Sequence, residues 1–120
     1  MLVNNERIER GNVYYADLGE RQNSRDAVQR GRRPVLVVSN NLANKYSPAI
    51  TIVPLTTRNK QYLPTHIEFE LPNHGEMVSN TALCEQVRTI NVDQLYFNIG
   101  SLDDDIMKEV NKCLVVALSL

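Results

Sequence analysis

Ile106, Met107, Val110, Cys113, Leu114 and Ala117 recur at spacings of three and four near the end of the chain. That spacing lays an apolar stripe along one face of a helix, and the stripe requires a partner surface. Asp103, Asp104 and Asp105 precede it, where acidic side chains oppose the helix dipole favourably, and Ser101 is the expected N-cap. The aspartate run therefore reads as helix-starting chemistry and not as a metal site. The segments before it are short, rich in β-branched and aromatic residues, and cut by turn formers. Many short strands followed by one terminal helix predict a mainly β fold of the α+β kind, a small antiparallel barrel with the helix packed against it.

The strands can be placed one by one. Residues 12–17, Asn-Val-Tyr-Tyr-Ala-Asp, form the first, by their aromatic and β-branched content. Residues 18–33 are polar and charged with no apolar period, which predicts a long loop, and long loops in small domains are functional or disordered. Pro34–Ser39 is a buried strand, and Pro34 biases Arg33 towards extended backbone. A polar turn through Asn40, Asn41, Asn44 and Lys45 has room for one helical turn. Ile50–Leu55 is the next strand, and Pro54 has no N–H for a ladder, so this end belongs at a bulge or edge. Thr65–Glu70 alternates polar with apolar, 71–77 is expected to be a turn around Pro72, Asn73 and Gly75, and Ser79–Ile90 supplies one or two more strands.

With 120 residues, 42% hydrophobic and 22% charged, the chain suits one soluble domain spanning 1–120. It has no run of about 18 apolar residues and no apolar secretory stretch at its N-terminus, so a cytoplasmic protein is expected. Cys84 and Cys113 sit far apart in apolar segments and read as buried free thiols, while His66 and His74 lack metal-ligand spacing. Neither a metal nor a cofactor is expected. Net charge is only −1, but residues 1–60 carry 10 Lys+Arg against 5 Asp+Glu and residues 61–120 carry 3 against 9. Arg21, Arg25, Arg30, Arg32 and Arg33 crowd one stretch that holds a single acid, Asp26. Such a cluster is either the footprint of phosphate-backbone binding or a solvated loop that keeps the protein soluble.

Arg32-Arg33-Pro34 runs directly into Val35-Leu36-Val37-Val38, setting fixed positive charge at the mouth of a buried strand. A guanidinium stays protonated and prefers planar oxyanions, although a lone Arg-Pro is also compatible with a plain solvated flank. Thr56-Thr57 closes the next strand. If strands 34–39 and 50–55 are antiparallel neighbours, Arg33 and Thr56 meet at one rim beneath the arginine-rich loop. A cation that neutralises phosphoryl oxygens and a hydroxyl that donates to them suit phosphoryl transfer on RNA, whose 2′-hydroxyl is a built-in nucleophile. A threonine ending a strand is otherwise ordinary β-propensity.

Five blocks in order, Arg10-Gly11-Asn12-Val13-Tyr14-Tyr15-Ala16-Asp17-Leu18, Arg33-Pro34-Val35-Leu36-Val37-Val38-Ser39-Asn40, Ser47-Pro48, Leu63-Pro64-Thr65-His66 and Glu85-Gln86-Val87-Arg88-Thr89-Ile90, resemble the MazF/PemK family of toxin endoribonucleases over nearly the whole chain. The resemblance implies a homodimeric, SH3-like barrel of the CcdB/PemK kind. It implies metal-independent, sequence-specific cleavage of single-stranded RNA to 2′,3′-cyclic phosphate and 5′-hydroxyl ends. The family's catalytic arginine falls on Arg33 and its catalytic threonine on Thr56. Leu63, Glu85 and Gln86 fall where relatives contact RNA bases, and Gln86 offers both a donor and an acceptor to an unpaired base edge. Arg32, Asn40 and Arg88 complete the expected RNA-binding set. Glu85 is equally a strand residue that ties down a loop, and Arg88 equally a partner in a core or dimer ion pair. The implied partner is an acidic, partly disordered MazE-like antitoxin covering the RNA groove.

Two departures stand out. Many relatives carry a glutamate five residues before the arginine, and Val28 stands there in this chain, within a longer loop. The general base is open between Asp26, Glu20, and the arginine acting with solvent. A second function class on the same fold is a poison that binds a DNA topoisomerase subunit through an aromatic C-terminus. This chain has no Trp and ends Val115-Val116-Ala117-Leu118-Ser119-Leu120, which suits dimer or core packing instead. A third is a catalytically silent RNA-binding module, favoured only if Arg33 and Thr56 lie far apart. The loops 18–33 and 56–64 are the expected determinants of the RNA word.

Overall fold

The computed structural model describes residues 1–58 and 62–120. In chain order its elements are β1 (Leu2–Val3), β2 (Glu6–Arg7), β3 (Asn12–Asp17), β4 (Arg32–Val37), α1 (Asn41–Tyr46), β5 (Ala49–Thr56), β6 (His66–Asn73), β7 (Glu76–Leu83), β8 (Arg88–Asn91), β9 (Leu95–Ser101) and α2 (Asp104–Leu118). The main sheet runs β6-β7-β5-β4-β3-β9, antiparallel throughout, with β8 also paired to β5. The sheet curls into a half-barrel, and α2 packs against one of its faces.

β5 makes the curl. Ala49–Ile52 pair with β8, Ile52, Val53 and Pro54 with β4, and Leu55 and Thr56 with β7. The β4 ladder stops at Val35 opposite Pro54, the residue with no N–H to contribute. Pro54 thus marks a changeover between neighbours, not the outer edge of the sheet.

Both faces of the central strands are covered, which explains the unbroken apolar run of β4. Tyr14, Ala16, Val35, Val37, Ile50 and Ile52 share one core inside the curl. Val13, Leu36, Val53 and Leu55 face the other way and pack with Met107, Val110 and Cys113 of α2. Both cysteines are free and buried. No helix among the described residues is long and apolar enough to cross a membrane.

Several boundaries differ from the sequence-based expectations. β1 and β2 form a small hairpin through Asn4 and Asn5, both at positive φ, a turn that asparagine tolerates better than most residues. The expected turn over 71–77 shrinks to His74-Gly75, since Pro72 and Asn73 pair with Met77 and Glu76. Pro72 is tolerated because β6 is an edge strand. Ser101 ends β9, an unanticipated strand, and does not cap α2. The cap is Asp103, whose Oδ1 accepts from Ile106 N at 2.9 Å. Glu85 and Gln86 lie in a 3₁₀ turn, Cys84–Gln86, between β7 and β8, and not in a strand.

Candidate functional site

Alternation along the strands decides which side chains share a face. Arg33 follows Val35 and Val37 onto the face that lines the inner core, as does its β3 partner Ala16. Thr56 lies two residues beyond Pro54, which pairs with Val35, and so projects to the same face. The β4–β5 ladder ends at Val35 opposite Pro54, two residues short of Arg33 on one strand and of Thr56 on the other, and Thr56 itself pairs with Thr81 of β7. Arg88, paired with Ile52, also shares that face. Three predicted residues from three strands therefore converge on one rim of the half-barrel.

The long loop folds back over this rim and is closed at its base, where Leu18 N donates to Gly31 O at 2.8 Å and Gly31 N to Gly19 O at 2.7 Å. Gln29 ties the rim together. Its Oε1 accepts from Arg33 Nη1, its N–H donates to Gln86 Oε1 at 2.7 Å, and its carbonyl accepts from Arg88 Nη2 at 2.8 Å. Arg33 Nε donates to Arg30 O at 2.8 Å, and Gln86 Nε2 to Ala27 O at 3.4 Å. Sequence reasoning missed Gln29, for a neutral amide in an aperiodic loop gives no signal. Val28 is 40% exposed and supplies no acceptor through its side chain.

A cleft of about 630 Å³ opens here, with Arg21, Arg30, Arg33 and Arg58 facing it alongside Glu20 and Asp26. Desolvation and the nearby Arg58 cation hold the Arg33 guanidinium below its ordinary pKa. Desolvation, with Arg30 next, does the same at Arg88. Arg88 Nε is buried with no hydrogen-bond partner. Partly desolvated like charges held together disfavour one another, and an anion relieves both costs. Asp26 offsets part of this, through its ion pair with Arg30. Its carboxylate accepts from Gln22 N at 3.0 Å, Val28 N at 3.1 Å and Arg30 Nε at 3.1 Å, and these backbone donors hold it below the ordinary carboxylate range. Thr56 is buried, and its Oγ1 accepts from Arg58 N at 3.2 Å, which leaves the O–H to donate.

The remaining predicted residues divide. Glu85 binds Thr65 Oγ1 at 3.2 Å and His66 Nε2 at 2.9 Å, tying the turn before β6 to the 3₁₀ turn beside Gln86. Leu63, 44% exposed, enters the same junction, where its carbonyl accepts from His66 N. Arg32 points to the opposite sheet face and lies 5.6 Å over the Tyr96 ring. Asn40 is not brought to the rim at all. It caps α1 beyond the far end of β4, its Oδ1 accepting from Ala43 N at 2.8 Å. Of the loop 56–64, residues 59–61 lie outside the described residues.

Comparison with known proteins identifies the family and the fold. Residues 9–118 match the model of the PemK-like, MazF-like toxins of type II toxin–antitoxin systems. The chain is 38% identical over 114 residues to endoribonuclease EndoA of Bacillus subtilis, covering 94% of this chain and 96% of the relative. It is 39% identical over 114 residues to endoribonuclease MazF of Staphylococcus saprophyticus, covering 94% and 92%. Among solved structures, a mycobacterial endoribonuclease in complex with its cognate antitoxin superposes with a TM-score of 0.74 at 28% identity, covering 94% of this chain and 96% of the other. The chain belongs to the PemK-like, MazF-like toxin family of type II toxin–antitoxin systems.

Proposed function

We propose that this toxin is an endoribonuclease that cuts single-stranded RNA without a metal, using Arg33 as charge stabiliser and general acid and Thr56 as a phosphate ligand. The observation that carries it is the convergence of Arg33, Thr56 and Arg88 on one face beside an arginine-rich cleft. Both curated relatives are named endoribonucleases, which favours this over a topoisomerase poison. Arg33 and Thr56 at the adjoining ends of neighbouring strands, on one face, favour this reading over a silent RNA-binding module.

In the proposed step the 2′-oxygen attacks phosphorus, the 5′-oxygen leaves, and the products are a 2′,3′-cyclic phosphate and a 5′-hydroxyl. Charge grows on the non-bridging oxygens, where Arg33 and Arg88 lie ready and the Thr56 O–H adds a donor. Desolvation and Arg58, by weakening the hold of Arg33 on its proton, favour its giving that proton to the leaving oxygen. Glu20 faces the cleft and accepts no hydrogen bond among the described residues, so it is the carboxylate available to take the 2′-hydroxyl proton. Asp26 is committed to the loop. Gln86, Glu85 and Leu63 read bases alongside.

The toxin acts as a single domain in the cytoplasm and as a homodimer. Val115, Val116, Leu118 and Leu120 at the end of α2 are 45–83% exposed, an apolar strip that a second copy would cover. An acidic antitoxin segment would neutralise the arginine cleft and compete with RNA, as the antitoxin-bound mycobacterial neighbour suggests.

The test is cleavage of a long single-stranded RNA in EDTA by the wild type and by Arg33→Ala, with end-group analysis. Expected are discrete cuts with cyclic-phosphate ends, lost in the variant by on the order of 10²- to 10³-fold. Equal cutting by both proteins removes Arg33 from the chemistry.

A further inference from the structure

On the other face of the same rim lies a second cleft of about 470 Å³, lined by Tyr15, Pro34, Thr57, Val78, Asn80 and Phe97 among others. Pro34 and Thr57 are the chain neighbours of Arg33 and Thr56 and point the opposite way. The two clefts therefore stand back to back across the β4–β5 rim.

Two features of this cleft are left unexplained by folding. The rings of Tyr15 and Phe97 are stacked, with centroids 5.6 Å apart and planes at 22°, yet Phe97 is 49% exposed. Tyr96, 39% exposed, extends the aromatic surface 6.1 Å from Tyr15 and carries the Arg32 guanidinium over its ring. Exposed aromatic faces with cations alongside are the surface on which unpaired bases stack. The second feature is Asn80, only 5% exposed. Its Nδ2 donates to Val78 O at 3.1 Å, but its Oδ1 is buried with no partner among the described residues. A buried acceptor left unmatched in a cleft calls for a donor from a ligand.

We propose that this cleft is a nucleobase subsite. It rests on the nuclease reading above: as the strand whose phosphate sits at Arg33 crosses the rim, the adjacent unpaired base stacks on Phe97 and donates an exocyclic amino N–H to Asn80 Oδ1. One Asn80 N–H is engaged at Val78 O, and Oδ1 is the acceptor left unmatched among the described residues. The site favours adenine, cytosine and guanine, which carry the exocyclic amino group this contact uses, over uracil, which has none. Cleavage would then depend on a base read on the far side of the sheet from the scissile phosphate.

The experiment uses the full-length toxin in EDTA on short single-stranded RNAs built around one mapped cut. An abasic nucleotide is walked through the flanking positions, and each position is also varied among the four bases. Phe97→Ala should lower kcat/KM by roughly 5- to 100-fold, as loss of one stacked base predicts, and Phe97→Trp should restore most of it. One abasic position should cost the wild type a similar factor while costing Phe97→Ala almost nothing more. Asn80→Ala should lose the preference against uracil at that same position. The half-exposed Phe97 keeps the test valid if Asn80→Ala folds poorly. Wild-type rates in Phe97→Ala overturn the subsite and leave the nuclease intact. A loss that stays the same at every abasic position, together with dimer dissociation in sedimentation, overturns it in favour of a protein contact on this face. A wild type that cuts no RNA overturns the nuclease reading and the subsite with it.

Discussion

β4 ends in a polar knot on each side, and the two are built on opposite rules. Beyond Val37, Asn44 is fully buried. Its Oδ1 accepts from Ser39 Oγ, and its Nδ2 donates to Ser39 O at 2.9 Å, while Ser39 Oγ accepts from Thr51 N at 3.1 Å. Asn40 caps α1 there, and Asn41 Oδ1 accepts from Arg10 N at 2.7 Å. The buried side-chain atoms without partners, Tyr14 OH, His66 Nδ1, Asn80 Oδ1 and Arg88 Nε, lie elsewhere among the described residues. At the Arg32 end the knot is made of cations that repel one another, held by the neutral amide Gln29, the Arg30 carbonyl and the Asp26 carboxylate. A satisfied network, whose neutral side chains are joined by the Met1 ammonium at Asn44 O and the Arg10 guanidinium at Val38 O, stabilises and has little to offer a ligand. A crowded, partly desolvated cationic one costs stability and is repaid when an anion arrives.

The sharpest way to break this comparison is to remove one residue from each end. Arg33→Ala should abolish cutting by the factor given above while leaving Tm unchanged or slightly higher, since it relieves like-charge crowding. Asn44→Ala should do the reverse. It strands the Ser39 carbonyl and opens a cavity, which costs about 2–3 kcal/mol and lowers Tm by roughly 10 °C, while kcat at a temperature where the variant is folded stays at the wild-type value. Differential scanning calorimetry and single-turnover cleavage measure the two axes. A large Tm loss in Arg33→Ala would mean that the arginine end is structural too.

Gln29→Ala sharpens the contrast within the rim. Gln29 acts through Arg33 and Arg88 and so is a positioning residue. Its loss should cut kcat by about 10-fold with little change in KM, the signature of weaker hold on the transition state than on bound substrate. Gln29→Glu should recover part of the rate by supplying an acceptor to Arg33. A merely structural role would lower Tm instead, and a change confined to KM would move Gln29 to RNA binding.

What was legible from sequence follows the same division. Arg33 stands out in the sequence because a charged pair abuts a continuous apolar strand, and the expected antiparallel pairing of the strands around 34–39 and 50–55 is present. β9 escaped because Leu95–Ser101 has one buried residue followed by exposed and half-buried ones, so it has no period of two. β1 and β2, at two residues each, are too short to show any period. Ser101 was preferred as the cap because the strand ending on it had not been seen, although Asp103 is an equally good capping residue. Asn40 lay within a family-like block, yet in space that block spans the length of β4 and delivers its two ends to different places. Gln29 is invisible to pattern because its bonds reach residues 57 and 59 positions away through backbone groups.

Acid provides the finest discrimination between the two ends. Asp26 is held below its ordinary pKa by the N–H groups of Gln22 and Val28, with Arg30 adding to the effect. A depressed carboxylate contributes stability that is complete above its unfolded pKa and is lost as pH falls through the folded one, so the window opens below about pH 4. The loop carrying Gln29 should therefore loosen in acid. The Ser39–Asn44 knot has no carboxylate and should hold. Amide hydrogen-exchange protection, followed between about pH 5 and pH 2, should fall first over residues 19–31 and persist over residues 39–51. Asp26→Asn keeps the acceptor for one backbone N–H and removes the proton linkage, so its loop should show the same protection across the range. Simultaneous opening of both ends in the wild type, or acid opening that survives Asp26→Asn, would show that the two knots share one stability and that the cationic rim is no more easily released than the neutral one.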